Sequence, residues 1–157
     1  MPSKASLALS TLEHRYLTIG LANEFLCVPI SNCREIQEFD VITSVPCTPS
    51  WLKGVLNLRG EIISVVDISS FLGFPPLRIS PSTRMVVLEG KKFVTAVLAD
   101  AVLEVLTIPP KEIKSSDEIG GGVNSQYAKG VFVSKDLLYT VLDVERLLGC
   151  EPMLQFQ

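Results

Sequence analysis

The residues that could bind a metal or act as nucleophiles are few, and they lie far apart in the sequence. The cysteines are Cys27, Cys33, Cys47 and Cys150, and the only histidine is His14. None of the cysteines forms a Cys-x-x-Cys pair, whereas zinc sites take their ligands from clusters with turn-like spacing. The pattern therefore predicts no metal site, and it favours buried free thiols over disulfides.

Two aspartates occupy matching positions and could suggest acid–base catalysis. Asp67 and Asp143 each follow an apolar segment and precede a short helical turn that ends at a glycine, Gly73 or Gly149. An aspartate placed in this way accepts hydrogen bonds from the backbone N–H groups that follow, which contributes about 0.5–2 kcal/mol as an N-cap. Glycine at the end of a helix adopts the left-handed conformation without penalty. We therefore interpret these four residues as structural caps and turns.

Other catalytic patterns are missing from the sequence. The serines lie in no nucleophile-elbow motif, and the glycine run 120–122 has neither the lysine nor the preceding strand of a phosphate-binding loop. We therefore expect a protein that is not an enzyme and needs no cofactor.

Composition narrows the choice of partners. A net charge of −3 and an aromatic content of 7% argue against nucleic acid, because binding it needs a basic face and rings that stack on bases. The most apolar segment, Phe93–Ile108, contains Asp100 and Glu104 and is too short and too charged to cross a bilayer. The N-terminus has only a feeble apolar run and no signal-peptide pattern, so we expect a cytoplasmic protein without direct membrane insertion.

Alternation of apolar and polar residues with period two is frequent, and long amphipathic helical stretches are scarce, which predicts a mainly β protein. Thr48 before Pro49 predicts the start of a short helix. The predicted strands are Tyr16–Leu21, Glu24–Ile30, Val41–Val45, Val55–Leu58, Glu61–Val66, Met85–Leu88, Phe93–Leu98, Val102–Leu106, Val131–Val133 and Leu137–Leu142.

One segment of the chain is repeated. A shift of 76 residues places 53–73 over 129–149 without a gap, and seven of the 21 positions are identical. The match predicts two similar half-units, each ending in strand, turn, strand and helical turn. Short strands of this kind fit small barrels better than a flat sheet, because closure removes exposed edges.

Residues that occur in only one copy of the repeat are better functional candidates than those that both copies share. Gly60 suits a tight turn, and Asn57 suits a bond to nearby backbone. Arg59 places a planar fork of five donors on a hairpin, which suits a carboxylate or carbonyl of a partner, although a solvated surface arginine is the alternative. The aligned residues of the second copy are Val133, Lys135 and Asp136.

Several segments resemble the CheW-like domains of bacterial chemosensory systems. The strongest, Cys33–Gly73, contains "REI", "TP" before "WLKG", "NLRG" and "VVD" in the order of that family. Similar segments are "FVTAVLADAVLEVLTIPPKEI" and "YAKGVFVSKDLLYTVLDVERLL". The resemblance covers residues 15–150 and leaves 1–14 and 151–157 as tails. It implies two five-stranded SH3-like barrels packed around a shared hydrophobic core, with short helices.

The resemblance also implies a function. Proteins of this family are adaptors that couple methyl-accepting chemoreceptors to a CheA-type histidine kinase, with the receptor's helical signalling tip in a groove between the barrels. Two other functions stay open. One is a CheW-like adaptor dedicated to type IV pilus motility, and the other is a small-barrel module that binds peptides outside chemosensing.

Two binding faces follow from the resemblance. Glu35 and Arg59 either pair with each other or contact the receptor. The implied receptor-binding residues are Cys33, Glu35, Ile36, Gly54, Arg59 and Val102. The surface for the kinase regulatory domain is implied only loosely, and about half of its side chains must point into the core because strand neighbours alternate. Its candidates are Val41, Val45, Ile62 and Val65.

Overall fold

The computed structural model describes residues 14–39, 42–115 and 125–155, and this part of the chain is built mainly from strands. The strands are β1 (Arg15–Leu21), β2 (Glu24–Pro29), β3 (Cys33–Glu38), β4 (Leu52–Leu58), β5 (Glu61–Val66), β6 (Arg84–Glu89), β7 (Val94–Ala99), β8 (Ala101–Thr107), β9 (Ala128–Ser134) and β10 (Leu137–Leu142). Two short helices, α1 (Val144–Leu148) and α2 (Glu151–Leu154), follow β10. Short 3-10 helices lie at Ile30–Asn32, Ser69–Leu72, Pro110–Glu112 and Ser125–Tyr127. None of the helices in these ranges is long and apolar enough to span a bilayer.

These strands form two five-stranded sheets with the same internal order. The first barrel has the order β3-β6-β7-β5-β4, and the second barrel has the order β8-β1-β2-β10-β9. Each contains one parallel pair, β5 with β7 in the first and β10 with β2 in the second. The chain crosses between the barrels, because β3 follows β2 and β8 follows β7 yet each joins the other sheet. Each barrel therefore needs strands from both halves of the chain.

Among the residues that the structure describes, the buried side chains form three clusters. The largest lies between the sheets and joins residues such as Leu26 of the second barrel to Val86 of the first. A smaller cluster around Ile63 belongs to the first barrel, and another around Val141 belongs to the second. The predicted architecture, two small barrels around a shared core, is therefore confirmed.

The two copies of the repeat, each with the two residues that precede it, have the same strand pairing. Leu52 pairs with Val66 in the first copy, and Ala128 pairs with Leu142 in the second, each beside a register shift. The shared hydrogen bond from an aspartate N–H to the carbonyl of an aromatic residue also recurs, between Asp67 and Trp51 at 2.8 Å and between Asp143 and Tyr127 at 2.8 Å.

Aromatic packing joins these copies across the shared core. The Phe71 ring lies 5.1 Å from the Trp51 ring and 6.3 Å from the Tyr127 ring, centroid to centroid, and both contacts are edge-on. Edge-to-face contacts of this length are favourable for aromatic rings.

A second correspondence, absent from the sequence comparison, relates β1–β3 to β6–β8 with a shift of 69 residues. Cys33 pairs with Leu88, and Val102 pairs with Ile19, in each case next to a register shift. Residues of the first barrel can therefore be compared position by position with those of the second.

The two aspartates of the repeat both accept hydrogen bonds from backbone, in different ways. Asp143 precedes α1, and its Oδ1 accepts from Arg146 N at 3.1 Å. Asp67 Oδ1 accepts from Ser69 N at 3.0 Å, while its Oδ2 accepts from Leu77 N at 2.9 Å. Asp67 thus holds the following loop as well as the short 3-10 helix.

The two glycines that end these turns differ in conformation. Gly73 has φ of 85°, the left-handed conformation that glycine adopts without penalty. Gly149 has φ of −95°, so the expected left-handed conformation was wrong there. Its lack of a side chain instead permits close packing, since an added Cβ would lie 3.0 Å from the carbonyl oxygen of Glu145.

Local predictions failed mainly around the first barrel. Residues 42–45 form no strand and contribute only the isolated bridge of Thr43 with Val55, while Val41 lies outside the described residues. The helix expected at Thr48 is a turn, in which the Thr48 hydroxyl donates to the Val45 carbonyl at 2.8 Å. Strand β3 was not predicted, because its sequence "CREIQE" alternates without apolar residues on a single face.

Candidate protein-binding surface

Arg59 lies at the tip of the β4–β5 hairpin. Leu58 pairs with Glu61, so the bend consists of Arg59 and Gly60 alone. Both residues have positive φ, 52° and 85°, as two-residue turns with the twist of paired strands require. Asn57 Oδ1 accepts a hydrogen bond from Gly60 N at 3.0 Å, which accounts for the asparagine by local structure alone.

The Arg59 guanidinium reaches Glu35 on β3. Arg59 Nη1 lies 3.3 Å from Glu35 Oε2, and the side chains are 80% and 18% exposed respectively. Gln37 Nε2 donates to Glu35 Oε1 at 2.7 Å, whereas Glu35 Oε2 is buried without a hydrogen-bond partner. The contact is therefore an ion pair without hydrogen-bond geometry. It anchors one end of the guanidinium and leaves most of this planar donor group open to a partner.

Arg34, the residue before Glu35, was passed over by sequence reasoning although it makes more polar contacts than Arg59. Its Nη1 donates to Glu61 Oε2 at 2.8 Å, and its Nε and Nη2 donate to the two carboxylate oxygens of Glu89 at 3.2 Å each. Glu61 and Glu89 lie 27 and 55 residues from Arg34 in the sequence. No local pattern indicates contacts over such separations.

Cys33 and Val102 occupy equivalent positions in the two barrels. Each is partly buried and packs against the cluster between the sheets. Ile36 lies on the other face of β3 from Glu35 and is 44% exposed. The structure thus places Cys33, in β3, and Val102, in β8, against the cluster between the barrels, whereas Ile36 presents its side chain on the opposite face of β3.

Gly54 is buried, and its role follows from backbone packing. A Cβ added to Gly54 would collide with the carbonyl oxygen of Thr43. Thr43 and Val55 exchange backbone hydrogen bonds of 3.0 and 2.8 Å at this point. The aligned glycine of the second copy, Gly130, has the same environment, since its Cβ would lie 2.5 Å from the carbonyl oxygen of Lys114. Gly54 therefore shapes the first barrel and presents no side chain to a partner.

Of the four residues implied for the kinase face, the three that the structure describes differ in their exposure to solvent. Val65 is 0% exposed and belongs to the core of the first barrel, so its assignment to a binding surface was wrong. Strand alternation is the reason, since Val65 faces the interior. Ile62 is 64% exposed and Val45 is 37% exposed. Val41 lies outside the described residues.

Two of the cysteines behave as apolar side chains. Burial raises the pKa of the Cys27 thiol and of the Cys33 thiol to about 11 in each case. Both thiols are therefore protonated at neutral pH. In the described part of the chain, no group of three or more histidine, cysteine, aspartate or glutamate residues is arranged to hold a metal ion.

We expect Cys27 and Cys33 to be alkylated slowly by iodoacetamide at pH 8, because only roughly one thiol in a thousand is ionised when its pKa lies three units higher. Cys47 is exposed and should react first. The reactivity of Cys33 should increase as the pH rises towards 11. Mass spectrometry of a reaction time course measures the order, and the urea-unfolded protein, in which the cysteines react alike, is the control. Equal rates for Cys33 and Cys47 in the folded protein would contradict the burial described above.

Comparison with known proteins assigns this architecture to a family. Residues 15–151 match the family model of the CheW-like domain. The chain belongs to the CheW-like family. Among its CheW-like relatives, the probable chemotaxis protein CheW of Rhizobium etli is 26% identical over 147 residues, which cover 94% of this chain and 95% of the relative. The chemotaxis protein CheW of Klebsiella aerogenes is 28% identical, with 95% and 90% covered. Protein FrzA of Myxococcus xanthus is 32% identical over 130 residues, with 83% and 81% covered.

A solved CheW-like structure has the same fold. The crystal structure of the scaffolding protein TtCheW from Thermoanaerobacter tengcongensis superposes with a TM-score of 0.79 at 24% sequence identity. The superposition covers 89% of this chain and 90% of that one. The arrangement of two SH3-like barrels is therefore common to both proteins.

Proposed function

We propose that this CheW-like chain is a non-catalytic adaptor that couples chemoreceptors to a CheA-type histidine kinase in the bacterial cytoplasm. The observation that carries the proposal is the placement of Arg59. A tight turn and one carboxylate fix a guanidinium that is still 80% exposed. Arginine held in this way loses little conformational freedom on binding and is a frequent anchor of protein interfaces.

The receptor side of the proposed adaptor is the boundary between the barrels. A helical receptor tip that lies in a groove takes its affinity from apolar anchors and its orientation from charged groups at the edge. Cys33 and Val102 supply equivalent apolar positions from the two barrels, both against the shared cluster. Arg59 and Glu35 supply the charged edge, and Ile36 adds an exposed apolar side chain on the opposite face of β3.

The kinase side is proposed to lie on the first barrel around Ile62 and Val45. At 64% exposure, Ile62 has the most exposed large apolar side chain among the described residues. A large apolar side chain left in water at the surface of a barrel is typical of a protein-binding position when others accompany it. Val45, which is 37% exposed, lies beyond the bridge of Thr43 with β4.

Ile62→Asp is expected to weaken binding of the kinase regulatory domain by at least about tenfold, because it places a charge in an apolar contact. Binding of the receptor tip should stay within about twofold, since the proposed faces are separate. The melting temperature should hardly change, because the side chain is 64% exposed in the free protein. Calorimetric titration with each partner measures both affinities.

The matched control is Val133→Asp, which places the same charge on an apolar residue of the second barrel that is 53% exposed. This variant should bind the kinase domain like the unaltered protein. Native kinase affinity of the Ile62→Asp variant would place the kinase face elsewhere on the molecule. Val65→Asp is unsuitable as a probe, because a charge at a fully buried position would unfold the first barrel.

A further inference from the structure

The three side-chain contacts of Arg34 form an ionic cluster between β3 and the rest of the first barrel. Arg34 binds Glu61 through one nitrogen and the two oxygens of Glu89 through two others, with distances of 2.8, 3.2 and 3.2 Å. A guanidinium that grips one carboxylate with two parallel bonds is more rigidly oriented than one that makes a single contact. The position of Glu61 is therefore defined relative to both β3 and β6.

Glu61 directly follows the Arg59–Gly60 turn, and Arg34 directly precedes Glu35. Two ion pairs thus connect β3 to the same bend, and the arginine comes from β3 in one pair and from the bend in the other. Arg34 of β3 binds Glu61 beyond the turn at 2.8 Å, and Arg59 of the turn approaches Glu35 of β3 at 3.3 Å. Any movement of the bend away from β3 would lengthen both pairs together.

The second barrel builds the same bend without such a cluster. Strand pairing places Leu103 at the position of Arg34 and Leu137 at the position of Glu61. Both leucines are substantially exposed, at 48% and 42%. The turn between β9 and β10 still has positive φ at its two residues, 50° at Lys135 and 64° at Asp136. The fold itself therefore does not require the charged pair, which occurs only in the barrel whose turn carries Arg59.

We propose that Arg34 is a positioning residue for Arg59. Through its bonds to Glu61 and Glu89, Arg34 fixes the distance between the turn and β3. At that distance the Arg59 guanidinium contacts Glu35 and also faces the receptor. The receptor-related part of this inference rests on the proposed function, whereas the positioning of the turn does not.

The test transplants the leucine pair of the second barrel into the first, as Arg34→Leu/Glu61→Leu. We expect this variant to bind the receptor tip roughly three- to tenfold more weakly, which lies within the range of coupling between neighbouring residues. Arg59→Ala added to the double variant should then cost less than it costs alone, since Arg34 acts through Arg59. The backbone N–H of Gly60 should exchange with solvent faster in the double variant. The single variant Arg34→Lys should lose less receptor affinity than the double variant does, because lysine keeps the charge but lacks the planar fork.

The matched control is Arg78→Leu, which removes one charge and adds one exposed leucine on the loop that connects β5 to β6 within the first barrel. It should leave receptor affinity and Gly60 exchange unchanged. Native receptor affinity of the double variant would overturn the positioning role, and so would a loss that is fully additive with Arg59→Ala. If the unaltered protein binds no receptor tip, the proposed function fails. Gly60 exchange then decides the positioning of the turn by itself, and an unchanged rate overturns it.

Discussion

Arg59→Ala is expected to weaken binding of the receptor tip by at least about tenfold, as truncation of an arginine anchor usually does. The stability of the fold should hardly change. An ion pair whose arginine is 80% exposed contributes at most about 1 kcal/mol to stability, because solvent screens it. For a chain of this size that corresponds to a change in melting temperature below about 4 °C. Calorimetric titration and thermal unfolding of the same samples measure the two effects.

Two variants serve as controls for Arg59→Ala. Arg59→Lys copies the residue that the second barrel has at the equivalent turn, where Lys135 has φ of 50°. It keeps the charge but loses the planar fork, so we expect an intermediate affinity. Lys135→Ala alters only the equivalent turn of the second barrel and should leave receptor binding unchanged. A drop of more than 10 °C or so in the melting temperature of Arg59→Ala would mean that the arginine is structural.

Gly54→Ala is expected to lower the free energy of unfolding by about 2–4 kcal/mol. The new methyl group would collide with the Thr43 carbonyl and would disrupt the two hydrogen bonds between Thr43 and Val55. Backbone cannot yield as a flexible side chain does, so the bridge beside β4 must open. Equilibrium unfolding in urea measures the free energy of unfolding.

Two other glycines give matched comparisons for Gly54. Gly130→Ala should destabilise by a similar amount, because its Cβ would meet the Lys114 carbonyl oxygen at 2.5 Å. Gly60→Ala should cost only about 1 kcal/mol, since it has positive φ of 85° but no atom within 4 Å of the added carbon. If Gly54→Ala is no less stable than Gly60→Ala, close backbone approach does not explain the glycine, and a direct contact with a partner becomes the better explanation.

The hairpins and their turns could be predicted from the sequence because local forces determine them. The repeat at a shift of 76 residues places each residue of β4–β5 on its structural equivalent in β9–β10, as the strand pairing shows. Asn57 and Gly60 are explained by contacts within four residues. Asp143 likewise caps the helix that immediately follows it.

Features that depend on contacts between distant parts of the chain could not be predicted. Strand β3 joins a different sheet from β2, and its half-polar sequence places no set of apolar residues on a single face, so the sequence pattern did not reveal it. The sequence alone does not distinguish the buried Val65 from the exposed Ile62, because it does not show which face of β5 each residue occupies. Arg34 could not be singled out among the charged residues, because its partners Glu61 and Glu89 lie beside it only in the folded chain. The resemblance to a family singled out Glu35 and Arg59, but only the structure places the two side chains 3.3 Å apart.

The most direct test of the adaptor function is a two-step calorimetric titration. The kinase regulatory domain is added to the protein first, and the receptor tip is then added to the resulting complex. We predict saturable one-to-one binding in both steps, with a receptor affinity that is the same whether or not the kinase domain is bound. A folded sample that binds neither partner would contradict the adaptor function, and competition between the partners would contradict the two separate faces.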